Sequence, residues 1–285
     1  MKAPGLIEPD DLAKRLGDED VVVFDCRFQL TDPEAGERAY REGHIPGAFY
    51  LHLERDLSSP KREHGGRHPL PDWQAFAARL AESGVRQDSD VIVYDAGEGM
   101  AARAWWLMRH IGLERVRLLN GGWQRWIREG RPVTAELPQP RPGHVEVRLR
   151  AGDTVDVNDV REAARQGKLV LVDARSRARY RGDVEPLDPK AGHIPGAVNH
   201  PWEEGLREDG TWRTPEEQRL RFADLASSGK PIVVYCGSGV TACSTLFAME
   251  LAGLSAKLYP GSWSDWVSYP DHPVATGDEP GAWQP

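Results

Sequence analysis

Short apolar runs recur along the chain, with segments of helical periodicity between them. The runs consist mainly of β-branched residues and stand at 21–24, 91–94, 170–172 and 232–235. Unalternated runs of this length are typical of strands buried on both faces of a parallel sheet. Helices are predicted between them, at 73–82, 101–111, 215–225 and 241–252. Such alternation predicts an α/β fold in which helices cover both faces of each parallel sheet.

The same pattern occurs twice. VVVFDCR at 21–27 returns as LVLVDAR at 169–175, and GHIPGA stands at 43–48 and again at 192–197. DVIVYDAGEG at 90–99 corresponds to KPIVVYCGSG at 230–239, and LLNGGWQRW at 118–126 corresponds to LYPGSWSDW at 258–266. Four blocks in the same order indicate two related domains, because a solenoid needs more and shorter repeats.

A proline-rich, charged stretch joins the two copies. ELPQPRPGHVEVRLRAGD, at 136–153, lacks helical periodicity and has the composition of a linker. We therefore place the domains at 1–140 and 152–285.

Composition limits the functions that such a pair of domains can have. The 285 residues are 40% hydrophobic and 28% charged, enough for two cores, and the net charge of −8 disfavours nucleic acid as a partner. The first residues lack the apolar stretch of a signal peptide, and no run is long enough to span a membrane. We expect a cytoplasmic protein without a membrane partner, as a monomer or weak oligomer.

Three cysteines stand at positions 26, 236 and 243. Their number is odd and their spacings match no zinc pattern, so neither a disulfide framework nor a metal site is expected. Cys243 lies within a predicted helix among apolar neighbours, and bulky residues follow Cys26. Both are interpreted as structural, since a buried cysteine commonly behaves as a small hydrophobe.

Cys236 is the candidate nucleophile. It follows a buried strand and precedes a short loop and a helix, and ligands bind at the carboxyl ends of strands in such sheets. Gly237 and Gly239 allow a tight turn that brings the amides of the loop, up to Val240 and Thr241, towards one point. Inward amides at a helix start form an anion site, which would stabilise a thiolate or a persulfide anion. The alternative is a core cysteine beside an ordinary turn.

These motifs resemble a known family. YCGSGVTA at 235–242 is similar to the active-site loop of tandem rhodanese-type sulfurtransferases, especially the 3-mercaptopyruvate branch, and the doubled GHIPGA resembles the repeated signature of that family. AARAWWLMRHIG, LLNGGWQRW and GGRHPLP at 65–71 add to the resemblance, which covers nearly the whole chain. It implies two tandem rhodanese-like domains, each a parallel sheet with helices on both faces.

The resemblance also implies a reaction. A donor, 3-mercaptopyruvate or thiosulfate, would pass sulfur to Cys236, and the resulting persulfide would pass it to cyanide or a thiol. No cofactor or metal is implied. The first copy has Asp95 at the cysteine position, and a carboxylate cannot form a persulfide. The first domain is therefore predicted to be catalytically silent.

Further site residues follow from the resemblance. Arg179 stands where the family binds substrate, and its planar fork suits an anion. Ser238 matches a serine that handles substrate, and His44 matches a histidine that assists this serine; for His44 a structural role is an equal alternative. Arg67 is a further candidate for reaching the site.

One position departs from the family pattern. The mercaptopyruvate branch has a second arginine where this chain has Leu187, and Lys190 offers a cation three residues later without the bidentate fork. This leaves the preferred donor open between 3-mercaptopyruvate and thiosulfate.

Two other classes of protein compete with a sulfurtransferase. A cysteine phosphatase or arsenate reductase needs an arginine six positions after its cysteine, where this chain has Ala242. A non-catalytic regulatory module would not need a cysteine in a glycine loop.

Several repeated residues are predicted to be structural. His193, Asp25 and Asp173 belong to this group, the two aspartates as loop anchors or partners of local arginines. The repeated tryptophans are predicted to pack in the two cores, namely Trp123, Trp126, Trp263 and Trp266.

Overall fold

The computed structural model describes residues 5–139 and 142–282 and divides into two compact units. Unit 1 contains the described residues of Met1–Ser59, Leu70–Arg150 and Arg207–Trp212. Unit 2 contains those of Pro60–Pro69, Ala151–Leu206 and Arg213–Pro285. The expected domains at 1–140 and 152–285 differ from these units in two short segments. Pro60–Pro69 belongs to unit 2, and Arg207–Trp212 belongs to unit 1. Pro140 and Arg141 of the predicted linker lie outside the described residues.

Unit 1 has a five-stranded parallel sheet in the order β1-β5-β4-β2-β3. The strands are β1 (Leu6–Ile7), β2 (Val21–Asp25), β3 (Phe49–Tyr50), β4 (Asp90–Tyr94) and β5 (Val116–Leu119). The helices are α1 (Pro9–Ala13), α2 (Ala35–Glu42), α3 (Trp73–Glu82), α4 (Met100–His110) and α5 (Gly122–Arg128).

Unit 2 has a four-stranded parallel sheet in the order β7-β6-β8-β9. The strands are β6 (Val170–Asp173), β7 (Ala197–Asn199), β8 (Ile232–Tyr235) and β9 (Ala256–Leu258). The helices are α6 (Val157–Gln166), α7 (Arg177–Arg181), α8 (Pro215–Arg221), α9 (Ala223–Ser227), α10 (Ala242–Ala252) and α11 (Ser262–Trp266), with a 3₁₀ turn at Trp202–Gly205.

The predicted α/β fold is confirmed in both units. All four apolar runs form central strands, and α3 has the bounds predicted from the sequence, 73–82. The helix predicted at 215–225 is instead two helices that meet at Phe222, whose backbone leaves the helical region (φ −107°, ψ 19°) while its side chain is fully buried.

The repeated tryptophans pack in the cores as predicted. Trp126, Trp263 and Trp266 are fully buried, and Trp123 packs against the core of unit 1. Their positions follow from the helical spacing of three residues, which places both members of each pair on the face of a short helix that meets the sheet.

Each unit has the same buried ion pair at the end of a central strand. Asp25 accepts hydrogen bonds from the guanidinium group of Arg27, and Asp173 does so from Arg175, with a shortest distance of 2.6 Å in both pairs. The second guanidinium also donates to the Gly192 carbonyl (2.6 Å) and lies 4.6 Å from the ring centre of Trp263. The structural role predicted for both aspartates is thus explained by these pairs.

The two GHIPGA histidines have equivalent surroundings. His193 stacks on Tyr180 and its ring nitrogens lie 2.8 and 3.3 Å from the carbonyl oxygens of Tyr180 and Pro280. His44 stacks on Tyr40 in the same way, with a carbonyl oxygen near each ring nitrogen (2.7 and 3.1 Å). Both side chains are fully buried, which supports the structural alternative.

Within the described ranges, no helix has the length and apolar character needed to cross a membrane. No group of three or more histidine, cysteine or acidic side chains in those ranges is arranged to hold a metal ion.

Candidate active site

Cys236 lies directly after β8, at the carboxyl end of a central strand of unit 2. The sheet positions it because β8 pairs with β6 on one side and β9 on the other, and Tyr235 is anchored by its hydroxyl, which accepts from the Ile194 amide (3.2 Å). The cysteine is a free thiol and only 2% exposed. Because β8 is paired on both sides, it holds the thiol in a shielded position at the carboxyl end of the sheet.

The loop after Cys236 is bound by the turn that begins α11. The amides of Trp263 and Ser264 donate to the carbonyl oxygens of Cys236 and Gly237 (3.0 and 2.9 Å). Gly239 has φ +75°, and a Cβ atom there would lie 2.3 Å from the Pro260 carbonyl oxygen. Only glycine fits this close approach, which explains the residue type that the sequence motif requires.

The last loop residues lead into the helix. The carbonyl oxygens of Val240 and Thr241 accept from the amides of Cys243 and Ser244 (both 3.0 Å). Val240 is buried, whereas Thr241 is half-buried.

A segment from the first half of the sequence, residues 64–67, packs against α11 in unit 2. The Gly65 amide donates to Asp265 Oδ1 (2.7 Å), and the Arg67 amide donates to Ser264 Oγ (3.0 Å). His64 stacks on Tyr269 with ring centres 4.1 Å apart. These contacts attach residues 64–67 to α11 and the residues that follow it.

The imidazole at Ser238 belongs to His68. His68 Nδ1 lies 2.8 Å from Ser238 Oγ, and both side chains are buried. This corrects the expectation that His44 assists Ser238, because both ring nitrogens of His44 face backbone carbonyls of unit 1. The signal for His68 was present in GGRHPLP, next to Arg67, but the sequence motif does not say to which unit this segment binds.

Two guanidinium groups lie over Gly237. A Cβ atom at this position would be 2.9 Å from Arg67 Nη2 and 3.3 and 3.5 Å from the terminal nitrogens of Arg179. The absence of a side chain at Gly237 therefore leaves space for both arginines next to Cys236. The structure brings together the predicted residues Arg67, Arg179, Gly237 and Ser238.

Buried carboxylates orient both arginines. Asp188 pairs with Arg67 and lies 3.4 Å from Arg179 Nη2, while Glu185 accepts from Arg179 Nη2 (2.7 Å). Glu185 also lies 3.2 Å from Arg175 Nη1, which links the site to the buried pair at Asp173. Asp188 and Glu185 are each only 3% exposed, so the fork geometry is held in a low-dielectric setting.

Leu187 and Lys190, at the positions considered for a second cation, have other contacts. The Leu187 side chain is 47% exposed, and its amide donates to Glu185 (3.1 Å). Lys190 Nζ donates to the Pro270 carbonyl (3.3 Å). The second guanidinium beside Gly237 is supplied by Arg67 instead.

The other two cysteines lack this setting. Cys243 is fully buried in α10, where its thiol donates to the Gly239 carbonyl (3.5 Å). Burial and the neighbouring Asp25 carboxylate raise the pKa of the Cys26 thiol well above its usual value. A thiol with a raised pKa is a poor nucleophile near neutral pH.

The corresponding loop of unit 1 contains a carboxyl group, that of Asp95. Asp95 accepts from the amides of Gly97 (2.9 Å) and Ala101 (2.8 Å) through different carboxylate oxygens, and burial raises its pKa. Burial and the Asp95 carboxylate raise the pKa of Glu98 to about 7. Unit 1 thus has the strand–loop–helix frame with a carboxylate where unit 2 has a thiol.

Comparison with known proteins identifies the family. The family model for the rhodanese-like domain matches residues 8–129 and again 156–269. The chain therefore belongs to the rhodanese family, with two tandem copies of the domain.

Individual relatives define the class more closely. A probable 3-mercaptopyruvate sulfurtransferase of Pseudomonas aeruginosa is 47% identical over 98% of this chain and 100% of its own length. The thiosulfate sulfurtransferase of Mus musculus is 34% identical over 86% of this chain and 84% of its own length. The crystal structure of SseA from Escherichia coli, which represents 3-mercaptopyruvate sulfotransferases with the rhodanese fold, has a TM-score of 0.79 at 35% identity and covers 91% of this chain and 99% of its own. The protein is a sulfurtransferase.

Proposed function

We propose that unit 2 transfers sulfur from an anionic donor, with 3-mercaptopyruvate as the preferred one, to cyanide or a thiol through a persulfide on Cys236. The observation that carries this proposal is the pair of guanidinium groups over Gly237, beside the buried thiol. The relatives named for 3-mercaptopyruvate and thiosulfate support the donor class.

In the first step the Cys236 thiolate attacks the sulfur of 3-mercaptopyruvate. The bond between this sulfur and C3 breaks, its electron pair passes to C3 as the enolate of pyruvate, and C3 takes a proton. Arg67 and Arg179 bind the donor carboxylate, for which a planar fork is well suited. Ser238, hydrogen-bonded to His68, provides a hydroxyl for the keto oxygen on which enolate charge develops.

The persulfide needs a site for its terminal anion. In unit 1 the Asp95 carboxylate accepts two amides from the equivalent loop and helix start. The counterparts of Gly97 and Ala101 in unit 2 are Ser238 and Ala242. This arrangement supports an equivalent role for the amides between Gly237 and Ala242, which would stabilise the outer sulfur at the start of α10.

In the second step an acceptor removes the outer sulfur. Cyanide attacks this sulfur, the S–S bond breaks, thiocyanate forms and Cys236 returns as a thiolate. Thiosulfate is the alternative donor, and it would release sulfite in the first step. The hydroxyl–imidazole pair favours 3-mercaptopyruvate, because thiosulfate has no keto group for Ser238 to bind.

The persulfide is directly observable. Incubation of the protein with 3-mercaptopyruvate and no acceptor is expected to add one sulfur atom to the peptide that contains Cys236, and cyanide is expected to remove it. Peptide mass spectrometry makes the measurement. Sulfur found only on Cys26 or Cys243 would contradict the proposal. Sulfur on none of the three cysteines would contradict it as well.

Arg67→Ala is expected to raise the KM for 3-mercaptopyruvate by roughly ten- to a hundredfold. A charge-assisted hydrogen bond contributes about 1.5–3 kcal/mol, which corresponds to that range in affinity. Steady-state kinetics measure the effect, and Arg67→Lys, which keeps the charge and loses the fork, is expected to fall in between.

Arg177→Ala is the matched control for this experiment. Arg177 is a mostly exposed arginine of α7 that pairs with Glu204, so its loss removes the same charge away from Gly237. Its KM is expected to stay within about twofold of the wild type. A larger rise in KM for Lys190→Ala than for Arg67→Ala would show that the lysine, rather than Arg67, binds the donor.

A further inference from the structure

Ser262 has an unusual backbone conformation. Its φ is 57°, and among the residues that the structure describes it is the one non-glycine residue with a positive φ. It is also fully buried. The left-handed region is unfavourable for a residue with a Cβ atom, and conformations of this kind are found where function requires them.

Unit 1 shows what the same turn contains without a catalytic cysteine. The counterpart of Ser262 is Gly122, with φ 53°, and glycine adopts this conformation without strain. A Cβ atom at Gly122 would lie 2.5 Å from the carbonyl oxygen of Asp95. The strained serine is thus present in the copy that has Cys236, and glycine in the copy that has an aspartate.

The Ser262 side chain binds the backbone of Cys236. Its Oγ accepts from the Cys236 amide (3.1 Å) and donates to the Tyr259 carbonyl (2.9 Å). The next residue, Trp263, donates its amide to the Cys236 carbonyl (3.0 Å). Consecutive residues of one turn therefore bind both main-chain polar groups of the cysteine, which fixes the peptide planes on either side of it.

We propose that Ser262 is a positioning residue whose hydroxyl sets the direction of the Cys236 side chain for sulfur transfer. This inference rests on the proposed persulfide mechanism. The peptide plane before Cys236 determines, with the plane after it, where the Cα–Cβ bond points. Without the hydroxyl, the Cys236 amide loses its acceptor in a buried place and the plane becomes free to rotate.

Two variants separate the hydroxyl from the backbone strain. Ser262→Ala removes the hydroxyl and keeps a Cβ atom at positive φ, whereas Ser262→Gly removes both. The rate of persulfide formation on Cys236, measured by rapid quenching and mass spectrometry at saturating 3-mercaptopyruvate, is expected to fall about five- to tenfold in both, as for the loss of one hydrogen bond. The KM is expected to change by less than about twofold, because Arg67 and Arg179 are untouched.

Stability is expected to respond differently from rate. Ser262→Gly relieves the strain, so its melting temperature should be at least as high as that of Ser262→Ala. The rate of persulfide formation is nevertheless expected to fall by the same factor in both variants. Ser244→Ala is the matched control: this buried serine of α10 has a hydroxyl without a hydrogen-bond partner among the described residues, and its loss should leave the rate within about twofold.

The outcomes are distinguishable. A wild-type rate in Ser262→Ala overturns the inference, and so does a loss of rate that is matched by an equal rise in KM. Wild-type protein that acquires no sulfur on Cys236 overturns the persulfide mechanism and this inference with it. Sulfur on Cys236 at equal rates in all proteins overturns the inference alone.

Discussion

Cys236→Ser is expected to reduce sulfur transfer by at least about a thousandfold while the protein stays folded. A serine hydroxyl is far less ionised near neutral pH than a thiol, so the nucleophile of the first step is lost. The substitution changes one atom in a buried position and leaves the main-chain hydrogen bonds to Ser262 and Trp263 in place. Thiocyanate formation from cyanide measures activity, and circular dichroism measures folding.

Cys243→Ser provides the matched comparison. This residue lies in the same unit, is also buried, and donates to a loop carbonyl that a serine hydroxyl can equally bind. Most of the activity should remain. An inactive Cys243 variant together with an active Cys236 variant would show that the nucleophile has been assigned to the wrong residue.

Asp173→Asn is expected to lower the free energy of unfolding of unit 2 by about 3–5 kcal/mol. The carboxylate is fully buried and accepts from the amide and the guanidinium group of Arg175, whose side chain is 1% exposed. Loss of one partner leaves a buried charge without its main compensation, which is the costly case for an internal ion pair. Urea unfolding of the full chain, followed by circular dichroism, measures the change.

An exposed ion pair of the same unit gives the control. Glu204→Gln breaks the pair with Arg177, in which both side chains are well exposed, and should cost less than about 1 kcal/mol. Asp25→Asn is expected to destabilise unit 1 by a similar amount to Asp173→Asn, because the pair with Arg27 has the same geometry. A change below about 1 kcal/mol for Asp173→Asn would mean that solvent or Glu185 compensates Arg175 after all.

The central strands and the position of Cys236 could be predicted because their signals are local. The apolar runs at 91–94 and 232–235 predict buried strands by residue type alone, and the position of Cys236 after one of them follows directly. The glycine loop could be predicted for the same reason, because a tight turn favours glycine, and the structure leaves little space for a side chain at Gly237 or Gly239.

His68 and the placement of Arg67 could not be predicted with the same means. Their segment precedes Leu70 of unit 1 in the chain, yet its contacts are with Asp265 and Ser264, about two hundred residues later. No local propensity encodes such a pairing. His44 was the histidine expected from its motif to assist Ser238, and only the two carbonyl oxygens near its ring nitrogens show that its imidazole is already engaged.

The attachment of residues 64–67 to α11 also affects how such a chain can arise and be divided. Duplication of one domain yields two copies of the strands and of the loop that contains Cys236 or Asp95. It does not by itself yield this site, because His68 and Arg67 belong to the first repeat of the sequence and Cys236 to the second. Cleavage of the chain within 136–153 would leave the thiol on one polypeptide and both side chains on the other, joined only by non-covalent contacts such as those of Gly65 and Arg67 with α11. A fragment with the second repeat alone would therefore contain Cys236 and Arg179 but lack Arg67 and His68, and under the proposed mechanism the complete site requires the whole tandem.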